Sequence, residues 1–377
     1  MRLFHEPLEA VFLRRPNRFI IIAETSEGLV TAHCPNPGRL QEILIPGKRV
    51  LLEKSQNPQR KTKYSLAGAY YKGKVIPMNS VKANAAAEIL FLPKLFPDAQ
   101  MIRKEYSLGK SRFDFFIVKG KSKILIEVKA CTLVYEGTAM FPDAPTERGT
   151  RHVLELKSFA DKGYEAVVLF VIMHGDACRF VPHIHTDPVF SAALAEASEK
   201  ISVKAVSLAT DKEGRISPVK YSVPVDLTQV DFIRKNQGIY LLHCILSKNI
   251  SLCIGSLGNI QFKAGHYIYA GSAMGNLKER ISRHCRKKKK KHWHIDYFLE
   301  HADKVVPYPV YASGKIECEA ADIMRNLCDN QIPSFGCTDC SCESHFFYFD
   351  SNPFFREEFM DALLHLRHTL ALQPTVI

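Results

Sequence analysis

The run Ala166–Met173, Ala-Val-Val-Leu-Phe-Val-Ile-Met, is apolar at every position. Successive side chains of a strand point to opposite faces, so a strand of this composition needs apolar cover on both sides. A central strand of an α/β layer meets that need, and the neighbouring sequence supplies the other layers. Thr146–Lys162 has helical periodicity, with Val153, Leu154, Leu156 and Phe159 as its apolar set. Phe190–Lys200 reads as a second helix, followed by a strand near Ser202–Val206. Upstream, Ala83–Leu92 reads as a short helix, and Arg112–Val118 and Lys123–Ala130 as adjacent strands joined by Lys119-Gly-Lys-Ser122.

The texture before residue 80 is different. Phe19–Ala23, Leu29–His33, Arg49–Glu53 and Ala69–Tyr71 are β-rich runs, broken sharply by Cys34-Pro-Asn-Pro-Gly38. Short strands before any strong helix predict a small barrel. Residues 208–235 carry Asp, Gly, Pro and mixed charge and read as a linker. A third unit opens at Gln237-Gly-Ile-Tyr240, with two strands, a basic helix over Asn276–Lys291 and a further helix over Glu317–Asp329.

The 377 residues carry 51 Lys+Arg against 39 Asp+Glu, a formal charge of +12 that favours a polyanionic partner. No apolar run approaches a membrane span, and Met1-Arg-Leu-Phe-His-Glu6 lacks the pattern of a signal peptide, so a cytoplasmic protein is expected. Eleven cysteines without an export signal then read as reduced thiols.

Asp114 lies in Arg112-Phe-Asp-Phe-Phe116, and Glu127 and Lys129 in Ile124-Leu-Ile-Glu-Val-Lys129. Residues two apart on a strand share a face, so Glu127 and Lys129 point one way while Ile126 and Val128 enter the opposite, apolar layer. If the two strands form a hairpin, Asp114 comes beside Glu127. Two close carboxylates make a hard-oxygen site for Mg²⁺ or Mn²⁺, and the lysine can orient water or offset developing charge. The bland alternative is a surface salt bridge on an ordinary sheet.

These segments, with His33-Cys-Pro-Asn-Pro-Gly38 and Phe141-Pro-Asp-Ala-Pro-Thr-Glu-Arg-Gly149, resemble the sugar fermentation stimulation protein A (SfsA) family over residues 1 to 227. The resemblance implies an N-terminal OB-like β-barrel and a domain like the PD-(D/E)XK nucleases, in a family described as DNA-binding. It makes Asp114 the first acid and Glu127 with Lys129 the (D/E)XK signature, with Glu88 as a candidate upstream acid. Asp143, Glu147 and Arg148 form a second polar cluster, readable as turn chemistry or as a substrate-phosphate site. Thr146 reads as a helix N-cap.

Residues 237–350 hold an ordered set that is similar to the GIY-YIG endonuclease superfamily. It comprises Gly238-Ile-Tyr240, Tyr269-Ala-Gly-Ser-Ala273, Arg283-His284, His292-Trp-His-Ile-Asp-Tyr297 and Asp339-Cys-Ser-Cys-Glu-Ser-His345. By that likeness Tyr240 and Tyr269 are the paired tyrosines, Arg280 the phosphate-binding arginine and Glu317 the metal carboxylate, with Glu319 as the alternative. Trp293 reads as packing. Six adjacent cations, Arg286, Lys287, Lys288, Lys289, Lys290 and Lys291, are expected to continue the helix of Arg280. With Arg283 and His284 they are the candidate nucleic-acid-binding residues. Cys337, Cys340, Cys342 and His345 offer four ligands of the kind Zn²⁺ prefers, or else are free thiols of a reduced loop.

The expectation is a multidomain α/β and α+β chain: an OB-like barrel over residues 1–78, a PD-(D/E)XK-like domain over 79–228 and a GIY-YIG-like domain over 236–368. Its expected partner is DNA or RNA, with metal-dependent phosphodiester hydrolysis. The rival is a catalytically silent DNA-binding regulator that keeps the nuclease scaffolds.

Overall fold

A computed structural model describes residues 1–57, 59–109 and 111–372. The chain divides into two compact units, Met1–Val230 and Asp231–Ile377.

The first unit begins with six strands in the order Gly28–His33, Ile20–Thr25, Leu8–Asn17, Arg49–Lys54, Tyr64–Tyr71 and Lys74–Pro77. A parallel pairing of Ala32 and His33 with Tyr64 and Ser65 joins the first of these strands to the fifth. This closes a five-stranded barrel, which removes the edges an open sheet would leave unpaired. Phe12, Ile21, Ala23, Val50, Leu52 and Leu66 fill its interior.

A second six-stranded sheet follows, in the order Ile216–Lys220, Ser202–Thr210, Glu165–Ile172, Ser122–Cys131, Ser111–Lys119 and Met101–Leu108. The apolar strand Glu165–Ile172 runs parallel to both neighbours at the centre of this sheet. Val168, Phe170 and Ile172 face one core, against the helices Glu147–Ala160 and Pro188–Ala197. Val167, Leu169 and Val171 face the other, with Phe91, Leu92 and the barrel residues Leu51 and Ala67. Thr146 caps the first helix by accepting from the Gly149 N–H (3.0 Å). Asp187 caps the second through Phe190 (2.9 Å) and also accepts from the Thr146 N–H (2.7 Å), so one carboxylate ties both helix starts together.

Two expectations change here. The segment read as a linker from residue 208 continues the strand Ser202–Thr210, and Ile216–Lys220 adds the antiparallel edge of the sheet. Its polar residues lie on an edge strand, where one side is open to water. The short helix near residue 83 is α-helical over Lys82–Ala86 and widens to a π-turn over Ala87–Phe91 before Leu92–Leu95.

The second unit has a five-stranded sheet in the order Lys304–Tyr311, Gly238–Leu246, Gly265–Ala273, Phe346–Phe349 and Asn330–Gln331. The helices Leu277–Cys285, His294–Leu299, Glu317–Leu327 and Glu357–His368 belong to the same unit. The basic run does not extend the first of these helices. The helix ends at Cys285, Arg286 is extended (φ −73°, ψ 131°), and residues 286–293 form a loop. Lys289 folds back so that its ammonium donates to the His284 carbonyl, satisfying part of the helix end. Arg286, Lys287, Lys288, Lys290 and Lys291 are exposed in this loop. No helix among the described residues is long and apolar enough to cross a membrane.

Candidate functional site

In the first unit the hairpin ladder between Ser111–Lys119 and Ser122–Cys131 runs up to Phe115 opposite Ile126. Beyond it the Asp114 carboxylate replaces the ladder, accepting the Val128 N–H at 2.7 Å on one oxygen and the Asn84 amide at 2.6 Å on the other. Asp114 and Glu127 interact electrostatically, as two carboxylates on neighbouring strands. Glu127 is buried (4 % exposed), and its Oε1 accepts from the Lys129 ammonium at 2.7 Å and contacts His152 Nδ1.

The two acids are tuned in opposite directions. Burial, reinforced by the charge of Glu127, raises the Asp114 pKa above the ordinary carboxylate value. Burial also works against Glu127, but His152 and Lys129 outweigh it and hold that carboxyl below its usual value.

Both acids line a cleft of about 1100 Å³ together with Lys129, Arg15, Arg18, Arg39, Asp143 and Arg148. Arg15 is a builder of the cleft: its guanidinium donates to the carbonyls of Gly38, Arg39, Arg18 and Asn36 at 2.6–2.9 Å. Arg18, Arg39 and Arg148 are exposed along it. Burial raises the Asp143 pKa, against the Leu40 N–H and the charge of Arg15, and its Oδ2 has no hydrogen-bond partner among the described residues.

The sequence missed Arg15, Arg18 and Arg39, which come from the barrel strand and loop and carry no local motif. Asn84 and His152 were visible as motif neighbours without a role. Glu88 is not part of this constellation, since it pairs with Lys104 at 2.7 Å while Asn84 takes the contact to Asp114.

In the second unit Tyr240 lies opposite Gly271 on neighbouring strands. A Cβ at Gly271 would overlap the Tyr240 ring, and one at Gly238 (φ +146°) would overlap the Val310 carbonyl. The two glycines of the motif are thus explained by close approach. The Tyr240 and Tyr269 rings are 6.4 Å apart, and burial raises both phenol pKa values. Arg280 and Glu317 act electrostatically on both tyrosines, whereas Glu319 is exposed. Arg280 lies over the Trp293 ring at 4.4 Å, and Arg283 lies over the same ring at 4.4 Å. Trp293 therefore packs, as expected, and in doing so holds both guanidiniums by cation–π contact.

Asp296, 1 % exposed, organises the surroundings. Burial opposes its charge, yet His284, Arg283 and the N–H groups of Trp293 and His292 hold the carboxyl well below its usual range. Arg283 reaches it bidentately at 3.0 and 2.9 Å. His284 is buried, with Nδ1 3.4 Å from Asp296 and Nε2 2.9 Å from the Tyr240 hydroxyl. Nδ1 makes no hydrogen bond among the described residues, but the Asp296 charge beside it favours the tautomer protonated there, in which Nε2 accepts from the Tyr240 hydroxyl. The candidate nucleic-acid residues therefore separate. Arg283, His284 and Lys289 are taken up by this buried network, while Arg286, Lys287, Lys288, Lys290 and Lys291 are exposed.

The cysteine group also changes. The ligand atoms that lie within 4.8 Å of one another belong to Cys318, Cys340, Cys342 and His345, with Cys318 standing where the sequence offered Cys337. Spacing along one loop favours Cys337, whereas Cys318 arrives from the first turn of the helix Glu317–Leu327, which only folding brings alongside.

A closed barrel, an α/β sheet with paired acids in a basic cleft and a third α+β domain define a chain of the SfsA type with an added module. Residues 13–78 match the SfsA N-terminal OB domain, residues 78–214 the sugar fermentation stimulation protein RE domain, and residues 239–368 the domain of unknown function DUF123. The chain belongs to the SfsA family and carries a C-terminal DUF123 domain that is GIY-YIG-like. It is 42 % identical over 200 residues to a sugar fermentation stimulation protein homolog of Desulfitobacterium hafniense, covering 53 % of this chain and 87 % of that one. It is 39 % identical over 215 residues to the homolog of Natranaerobius thermophilus, covering 55 % and 90 %. The structure of Pyrococcus furiosus SfsA in complex with Ca²⁺ superposes with a TM-score of 0.55 at 30 % identity, covering 60 % of this chain and 99 % of that one.

Proposed function

We propose that the chain binds DNA and hydrolyses phosphodiester bonds, using a divalent cation held by Asp114 and Glu127. The observation that carries this reading is the placing of both carboxylates and Lys129 in one cleft with the exposed cations Arg18, Arg39 and Arg148. The donor set fits Mg²⁺ or Mn²⁺: two carboxylates supply hard oxygens, and the raised Asp114 marks a position where a cation relieves like-charge repulsion. The P. furiosus relative was solved with Ca²⁺, another cation that prefers oxygen ligands. Bound there, the metal would supply a polarised phosphate and a more acidic water. The protein's own groups do the rest. The arginines hold the phosphate backbone, Lys129 offsets charge that develops on the reacting phosphate, and His152 and Asn84 fix the two acids.

The domain division we propose is 1–78, 79–228 and 236–368. In the last of these, Tyr240, Tyr269, Arg280 and Glu317 form a second hydrolytic centre, with His284 placed to take the Tyr240 proton. RNA is the alternative substrate for either centre. One observation favours a binder without turnover at the first centre. Glu127 Oε1 already serves both Lys129 and His152, which ties up one oxygen of a metal ligand.

The test compares the full chain with Asp114→Ala/Glu127→Ala and Arg280→Ala/Glu317→Ala. Each is incubated with single- and double-stranded DNA and RNA in Mg²⁺ or Mn²⁺. Cleavage lost in one double variant locates the working centre. Binding without cleavage by every form selects the silent regulator, and absence of binding at low salt overturns both readings.

A further inference from the structure

We propose that Cys318, Cys340, Cys342 and His345 form a structural zinc site that ties the loop carrying Cys340–His345 to the first turn of the helix Glu317–Leu327. The four ligand atoms lie within 4.8 Å of one another, and all three cysteines are free. Tetrahedral zinc has bonds of about 2.3 Å to sulfur and about 2.0 Å to nitrogen, which place sulfurs about 3.8 Å apart and sulfur about 3.5 Å from nitrogen. Cys340 Sγ stands 3.5 Å from His345 Nε2.

The histidine carries the independent argument. His345 is 2 % exposed, and its Nδ1 lies 3.1 Å from Glu317 Oε1. A carboxylate only accepts, so Glu317 places the ring proton on Nδ1 and leaves the Nε2 lone pair directed at the sulfurs. This is the carboxylate–histidine arrangement that orients a zinc-bound imidazole. Three soft sulfurs and an imidazole select Zn²⁺ over the hard cations suited to Asp114 and Glu127. A disulfide would use two of the sulfurs and leave the third, with the oriented imidazole, without a function.

Zinc here has a consequence for the neighbouring centre, and this step rests on the hydrolytic reading of Glu317. Cys318 adjoins Glu317 in sequence, and His345 bonds the same carboxylate. Zinc would fix Glu317, which acts electrostatically on the tyrosine pair, from both directions.

The full chain, purified under reducing conditions without added metal, should contain about one zinc per chain by elemental analysis. The reduced apo form titrated with Co²⁺ should develop the ligand-field and thiolate charge-transfer bands of a tetrahedral sulfur-rich site. Cys318→Ser and Cys342→Ser should lose the metal and Cys337→Ser should keep it, with circular dichroism reporting the fold of each. Glu317→Ala should weaken zinc affinity about 10–100-fold in chelator competition. Zinc-free wild type that gives no thiolate–Co²⁺ bands overturns the site, whether or not the serine variants fold. A disulfide among the three cysteines in the non-reduced mass, or zinc lost from Cys337→Ser and kept by Cys318→Ser, overturns the ligand set. Unchanged affinity in Glu317→Ala overturns the link to Glu317 alone. Metal content is read without any cleavage assay, so its failure is separate from failure of the hydrolytic reading.

Discussion

Asp114 and Glu127 carry their charges under opposite pressures, and that fixes how the cleft should respond to pH. Glu127, held down by His152 and Lys129, adds stability that is present above its unfolded pKa and lost as pH falls through its folded value. Asp114, pushed up by burial and by Glu127, favours the folded state below its unfolded pKa and loses that contribution as pH rises through its folded one. Cation binding needs the ionised form, so Mg²⁺ or Ca²⁺ affinity should fall with a one-proton slope as pH drops through the raised Asp114 value. Calorimetric titration at several pH values checks this, and Asp114→Asn should abolish both the binding and the slope. His152→Ala should leave Glu127 poorly oriented and weaken cation affinity about 10–100-fold, the effect usual for partners that orient metal ligands. An unchanged dissociation constant for this variant would remove His152 from the site.

At the scale of elements, the loop 286–293 contains two kinds of lysine. Lys287, Lys288 and Lys290 are exposed, whereas Lys289 reaches the His284 carbonyl and lies 3.9 Å from Asp296. Each exposed lysine that contacts a phosphate contributes about 0.9 to the log–log salt slope on duplex DNA. Lys287→Ala/Lys288→Ala/Lys290→Ala should therefore weaken DNA binding and lower that slope by about 2 to 3, with little change in melting temperature. Lys289→Ala should do the reverse, lowering the melting temperature while moving the slope by less than about 1. Binding measured from low to moderate salt, beside a thermal melt of each variant, separates the two roles. The same contrast explains why the run does not continue the helix Leu277–Cys285 as its composition suggests. Charge and propensity do not distinguish a cation that caps a helix from one that faces water, and the buried Asp296 makes that distinction.

For the molecule as a whole, the relatives that match residues of the first unit are 87–90 % covered by about half of this chain. Met1–Val230 also has its own cores: one inside the barrel and one on each face of the central sheet. Residues 1–230 expressed alone should melt cooperatively and keep the divalent affinity of the full chain, while calorimetry of the full chain should resolve more than one transition. A fragment that lacks a cooperative melt would show that the first unit depends on the rest.

The barrel, the central strand and the paired acids were legible because each is a local pattern. Short strands broken by Pro and Gly, an apolar run on both parities, and Glu127 and Lys129 two apart all follow from backbone periodicity within a few residues. The glycines of the tyrosine motif were legible too, although the reason for them, contact with Tyr240 and with the Val310 carbonyl, lies across the sheet. Tertiary structure alone decided the rest. It brought Arg15, Arg18 and Arg39 from the barrel into the cleft of Asp114, and it turned a reading of linker into an edge strand. It exchanged Cys337 for Cys318 and drew Arg283, His284 and Lys289 inward to Asp296. Sequence spacing fixes which side chains share a face of one element; which elements face one another is set by burial of the whole core, and these sites are assembled across elements.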